Sequence, residues 1–359
     1  MQYKRERSSE RNRERARRRE AAKKKKRFLC LLGVLLWILV SVCVICIVQL
    51  RHKLRELNEL LNQAGRPVVA EPDLLEAMSD SDEGAEATGK FTDDKWMSED
   101  YADKCGLEYV ERPMERSRRE VLERLQELGA DNPLIEDIWE KSASYPEKML
   151  EALANNPEMA DFVAGWQGAE TIGTAGLTNR EKEQEYPLFL QWDPRWGYVE
   201  YGDESCIGLA GCGPTCLSMV LYYLTRDETL TPDRIGTYSM RNGYYMSGTG
   251  TAWALFEDVA GLYGLSVRQP KASEWEMEAA LDDGAVIILS MGQGEFTLAG
   301  HFIVVYGYDK NGFFVNDSNC VARSRKQWSY SEIEKQIKHM WIFSEDGSSM
   351  DGIVVDYYG

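Results

Sequence analysis

The stretch Gly211-Cys212-Gly213-Pro214-Thr215-Cys216-Leu217-Ser218-Met219-Val220-Leu221 leaves this chain few choices. Two glycines bracket a cysteine, a proline follows, and an apolar run of helical character begins at once. Proline at a first helical position is pre-set for the helix and forfeits an N–H that has no partner there. The expected element is a helix over 214–224, with Cys212 just ahead of its first turn. Unpaired N–H groups and the macrodipole at that end stabilise an anion. A thiol in such a place ionises more readily, and the thiolate is the nucleophilic form. The stretch therefore points to a cysteine nucleophile, which needs a base, an orienting group and an oxyanion donor.

A base is offered by Gly300-His301-Phe302-Ile303-Val304-Val305, where His301 opens an apolar strand. The turn signal Asp309-Lys310-Asn311-Gly312 joins that strand to the next as a hairpin. The second strand ends at Val315-Asn316-Asp317-Ser318, near the start of the first. His301 and Asp317 share a face only if the pairing has even parity, which an odd-length loop or a bulge at Gly312 would provide. A carboxylate beside an imidazole fixes its tautomer and stabilises the imidazolium. The plainer alternatives are a satisfied histidine at a strand end and an Asx turn at Asp317. Taken together, His301 would remove the Cys212 proton and later protonate a leaving amine. The Cys212 N–H would supply one oxyanion donor, and Gln191 is the best second donor upstream.

Around these residues the pattern is α+β. Helices are expected over 214–224, after Thr231, over 253–263 and over 272–281. Strands follow over 285–290, 301–308, 312–316 and 340–343. Helices early and adjacent strands late imply a largely antiparallel sheet. Residues 186–345 thus form one cysteine peptidase-like domain, long enough for its own core. Residues 107–170 form a helical pre-domain with punctuated apolar stripes. One stripe is Val121, Leu122, Leu125 and Leu128, stopped at Gly129; Pro133, Pro146 and Pro157 open further helices. Residues 168–176 are a glycine-bearing hinge, and 66–106 an acidic linker.

Charge sets the location. Residues 1–27 hold 14 Lys/Arg against 4 Asp/Glu, while the whole chain carries −17. Residues 28–48 contain no charge, and 21 residues at ~1.5 Å each span a hydrocarbon core of about 30 Å. The basic tail then places the N-terminus in the cytoplasm and the C-terminal domain outside the cell, on a single uncleaved transmembrane helix. Leu50, Leu54, Leu57 and Leu61 extend it as a helical stalk over 49–65. A nucleic-acid-binding arm is the weaker reading of 1–27, so no nucleic-acid partner is expected. No cofactor and no metal are expected either, since three histidines leave a Cys/His zinc site little to draw on. Cys206 and Cys216 flank the nucleophile and could pair, though sequence alone does not place them within bridging distance; Cys320 has no assigned role. Trp192, Trp196, Tyr198 and Tyr201 read as packing residues, and 242–250 as a loop at a groove edge.

Four ordered motifs make residues 186–343 resemble the papain-like cysteine peptidases of the double-glycine-leader, bacteriocin-processing type, in a stand-alone form. They are Gln191-Trp192-Asp193-Pro194-Arg195-Trp196, Gly211-Cys212-Gly213-Pro214-Thr215, Gly300-His301-Phe302 and Asn316-Asp317. The resemblance implies a papain-like fold with Cys212 as nucleophile, His301 as base, Asp317 as orienting residue and Gln191 as oxyanion-hole glutamine. Substrates would be peptides, proteins or peptidoglycan cross-links. A catalytically silent peptide-binding or scaffolding module of the same fold is the alternative. Two departures stand out. Gln191 lies 21 positions before Cys212 rather than a few, so the segment between must loop out. Ser318 also stands where the family often has proline.

Overall fold

The computed structural model describes residues 98–103, 105–169 and 176–345. The expected basic tail, membrane span and stalk lie outside the described residues, as do most of the linker and of the hinge. Among the described residues, no helix is long and apolar enough to cross a membrane.

The helical stretch comes first. α1 (Arg118–Gly129) starts from a capping box, in which Ser117 and Glu120 each accept the other's backbone N–H. Its Val121 and Leu125 are buried. α2 (Pro133–Glu140) is capped by the Asn132 side chain, with proline in its first turn. α3 (Glu147–Asn155) and α4 (Ala160–Gly165) turn Met149, Leu150, Leu153, Phe162 and Val163 inward. These helices do not close a core of their own. Their buried residues join Trp192, Trp196, Leu217, Val220, Phe256, Val304 and Trp341 in one continuous apolar cluster.

Next come α5 (Cys212–Thr225), α6 (Pro232–Arg241), a two-residue-strand hairpin β1 (Tyr245–Met246) and β2 (Gly250–Thr251), and α7 (Ala254–Leu262). The remaining elements are β3 (Leu265–Arg268), α8 (Glu274–Asp282), β4 (Val286–Met291), β5 (His301–Asp309), β6 (Gly312–Asn316) and β7 (Ile337–Glu345). Five of these strands form one sheet in the order β3-β7-β4-β5-β6, every pair antiparallel. The architecture is α+β, as expected.

Strand alternation sorts the core into two layers. Val286, Ile288, Phe302 and Val304 face the cluster shared with α5, α6 and α7. Ile287, Leu289, Ile303 and Val305 face a second cluster beneath Met277 and Ala280 of α8. β4 is buried at all six positions because both its faces are covered. Two features escape the sequence pattern. β3 is a four-residue edge strand, too short to show alternation, and the β1–β2 hairpin lies in the loop expected at a groove edge. Cys105, Cys206, Cys212, Cys216 and Cys320 are all free thiols, so the considered Cys206–Cys216 pair does not form. The Cys216 thiol instead contacts the Phe302 carbonyl at 3.2 Å.

Candidate active site

α5 begins at Cys212 itself, two residues earlier than expected, with Gly211 as its N-cap. Pro214 is therefore the third helical residue, where its missing N–H still belongs to the unpaired first-turn set. Thr215 fastens the start: its N–H and its hydroxyl both donate to the Gly211 carbonyl, at 3.0 and 2.8 Å. Gly213 is required by close approach, since a Cβ there would fall 2.4 Å from Thr251 Oγ1 on β2. Cys212 is half-buried at this end, while Cys216 one turn on is fully buried.

His301 is the first residue of β5, paired with Met291 of β4. The hairpin between β5 and β6 starts with Asp309 opposite Gly312 and continues regularly to Gly307 opposite Phe314. There it shifts by one residue, so that Val305 pairs with Val315 and Val304 with Asn316. Tyr306 is the extra residue of a bulge. The expected parity change exists, but it lies at Tyr306 instead of at Gly312. Continued past β6, this register sets Asp317 opposite Ile303, on the His301 side of the ribbon; without the bulge it would fall opposite Val304, on the other side. His301 Nε2 stands 2.7 Å from Asp317 Oδ1, and both side chains are buried.

The electrostatics of the pair are mutual. Burial pushes the His301 imidazole down, but the adjacent Asp317 carboxylate, its hydrogen bond and a hydrogen bond with Cys212 outweigh that, and its pKa rises to about 9. Burial pushes Asp317 up; the His301 and Arg323 charges, with hydrogen bonds from His301 and the Asn319 N–H, hold it below the usual carboxylate range. Arg323 Nε is 3.0 Å from Asp317 Oδ2. Both atoms lack a hydrogen bond of acceptable geometry, so this contact is an ion pair without an aligned N–H.

Gln191 reaches the same neighbourhood because the 21-residue interval folds back on itself. Residues 190–197 form a tight turn, with Asp193 N–H on the Leu190 carbonyl and Trp196 N–H on the Asp193 carbonyl. The following residues run out and return, with Ile207 N–H bonded to Val199 O and Gly208 N–H to Gly197 O. The Gln191 N–H donates to Ser318 O at 2.7 Å, and its Oε1 accepts the Ser318 hydroxyl at 3.2 Å. Its Nε2 donates to Gly208 O at 3.0 Å, four residues before Cys212.

Trp192 and Trp196 are fully buried supports of this turn. Arg195 locks it, its guanidinium held by both oxygens of Glu181 (2.7 and 2.6 Å) and both of Asp193 (3.0 and 2.8 Å).

The structure thus brings His301 and Asp317 into contact, sets the Cys212 side chain beside the imidazole and anchors Gln191 to the residue after Asp317. Sequence reasoning missed Ser318 and Arg323. Ser318 was legible only as the departure from proline, and it orients the glutamine amide. Arg323 carries no spacing signal, because a loop and a short helix, Val321–Arg325, bring it back to Asp317.

Against known proteins, residues 183–347 match the model of the Peptidase_C39 like family. No curated protein is significantly similar to the chain. Among solved structures, the chain is similar to the peptidase domain of Streptococcus ComA, a bi-functional ABC transporter involved in a quorum-sensing pathway. Identity is 18%, the alignment covers 45% of this chain and 99% of that one, and the TM-score is 0.33. A putative C39-like peptidase from Bacillus anthracis is similar at 14% identity, over 45% of this chain and 95% of that one, with a TM-score of 0.30.

Proposed function

We propose that the chain is a cysteine peptidase that hydrolyses peptide bonds, with Cys212 as nucleophile, His301 as base and Asp317 as the carboxylate that orients it. The observation that carries this reading is the buried 2.7 Å His301–Asp317 contact, with the half-buried Cys212 thiol at a helix start close enough to raise the imidazole further. His301 accepts the Cys212 proton, and the thiolate attacks the scissile carbonyl carbon. The electrons displaced onto oxygen are met by the Cys212 backbone N–H and by Gln191 Nε2. Collapse of this adduct breaks the C–N bond, the departing amine takes the proton from the imidazolium, and a thioester remains. Water, deprotonated by His301, then hydrolyses the thioester and Cys212 leaves as the thiol.

In this reading the fold is papain-like, a cysteine-bearing helix end set against a sheet that carries histidine and aspartate. The substrate is a peptide, a protein or a peptidoglycan cross-link, met outside the cytoplasm by a domain anchored through 28–48.

The test is cleavage of a peptide and muropeptide library. Wild type cleaves, Cys212→Ala is inactive, and His301→Gln loses at least ~10²-fold. A second reading, a tethered peptide-binding module without turnover, is favoured by one observation: Gln191 Nε2 already donates to Gly208 O. Wild type and Cys212→Ala that bind a peptide equally and are equally inert would establish that module instead.

A further inference from the structure

We propose that Glu158, from the helical segment ahead of α4, is a positioning residue for the Asp317–His301 pair, acting through the Asn319–Arg323 segment, so that the helical region is a working part of the site. The inference rests on the reading of Cys212, His301 and Asp317 as a catalytic set. Asp317 lies one residue beyond β6, where the sheet ladder no longer holds it.

The Asp317 N–H donates to Ser324 Oγ at 2.8 Å inside the same segment, and that segment is in turn held from the helical region. The Glu158 carboxylate, 1% exposed, accepts the Val321 N–H at 2.8 Å and the Ala322 N–H at 2.9 Å, one on each oxygen. Asn156 Nδ2 donates to the Asn319 carbonyl, which also accepts Trp192 Nε1 at 2.9 Å. These bonds fix the start of the Val321–Arg325 helix, and the helix returns Arg323 to Asp317 Oδ2. Arg323 Nη1 also donates to Glu295 O at 3.2 Å, in the loop that leads into His301. One guanidinium therefore ties the approach to His301 to the carboxylate that orients it. Burying Glu158, Arg323, Asp317 and His301 together carries a desolvation penalty that an apolar contact would avoid. The charged arrangement is accounted for if the direction of the Asp317 carboxylate is what it secures.

The experiment is an NMR titration of His301 in the full chain with labelled histidine. The chain has three histidines, and His301→Gln identifies the signal. Wild-type His301 is expected to titrate near pH 9. Glu158→Gln keeps the size of the side chain but sets an NH2 donor against one of the two N–H groups that the two carboxylate oxygens accept. Its His301 midpoint is expected to fall by about one unit, tenfold in proton affinity. Peptide cleavage should fall in kcat with KM nearly unchanged. If Glu158→Gln does not fold, Asn156→Ser, which removes one of the two donors to the Asn319 carbonyl, is measured in the same way. A His301 midpoint unmoved in a folded variant overturns the proposal, whatever the cleavage rate. A moved midpoint in a chain whose wild type cleaves nothing supports the positioning role while removing the peptidase reading.

Discussion

His301 and Asp317 give the site its pH dependence. A pKa raised to about 9 means that the folded state binds the His301 proton more tightly than the unfolded chain does near ~6.5. The stabilisation is complete below ~6.5 and disappears as pH rises through about 9. Asp317 has the opposite sign: its lowered pKa stabilises the fold above the ordinary carboxylate value and ceases to do so as pH falls through the depressed one. In urea unfolding, the advantage of wild type over His301→Gln should therefore shrink between pH 7 and pH 10. Asp317→Asn removes the charge that opposes burial, so the His301 midpoint should drop to about 6.5 or lower by NMR. A midpoint that stays near 9 in Asp317→Asn would mean that Asp317 does not govern the imidazole.

At the scale of elements, a strand bulge and a helix start control the geometry. The bulge at Tyr306 is the parity switch that turns Asp317 to the His301 side of the hairpin. Deleting Tyr306 takes out only the extra residue, leaving Val305 opposite Val315 and Asp317 opposite Ile303, so the sheet by circular dichroism and the raised His301 titration should both survive. The helix start depends on the absence of a side chain at Gly213. Gly213→Ala drives a Cβ into Thr251, whose hydroxyl is bonded to Tyr201 at 2.7 Å, so β2 or the helix end has to yield. Overpacking of this kind costs about 1–3 kcal/mol, visible as a lowered urea midpoint, with loss of Cys212 alkylation by a peptidyl probe.

For the whole molecule, the helical region and the sheet-bearing region behave as one body because they share one core. Phe162 of α4 stacks on Tyr198 at 4.7 Å between ring centroids and packs so closely on Gly208 that a Cβ there would lie 2.3 Å from its ring. Gly208 is also the carbonyl that holds Gln191. Phe162→Ala should cost about 3–5 kcal/mol. A chain beginning at residue 177 should lose cooperative unfolding and compact size in gel filtration, because the cluster around Trp192 and Trp196 would be opened to water. A folded, monomeric 177–359 fragment would show that the shared core is dispensable. Removal of 1–48 should move the protein from the membrane fraction to the soluble one, a direct check on the expected anchor.

Much of this protein was readable from local pattern. Helix stripes, proline openings and turn residues are short-range physics, and so are the helix that starts near Cys212 and the strands that carry His301 and end before Asp317. The need for a parity change was readable too, since two-residue periodicity makes it a matter of counting. Which residue bulges was not, because an extra position anywhere along the hairpin changes the parity in the same way. The support of Asp317 was equally invisible. Arg323 follows it by six positions and Glu158 precedes it by 159, and only packing brings three buried charges within reach of one another. The opening stretch around Cys212 therefore specified a nucleophile and its helix. The tertiary structure decided what surrounds them, because desolvated carboxylates and a guanidinium find their partners through the shared core rather than along the chain.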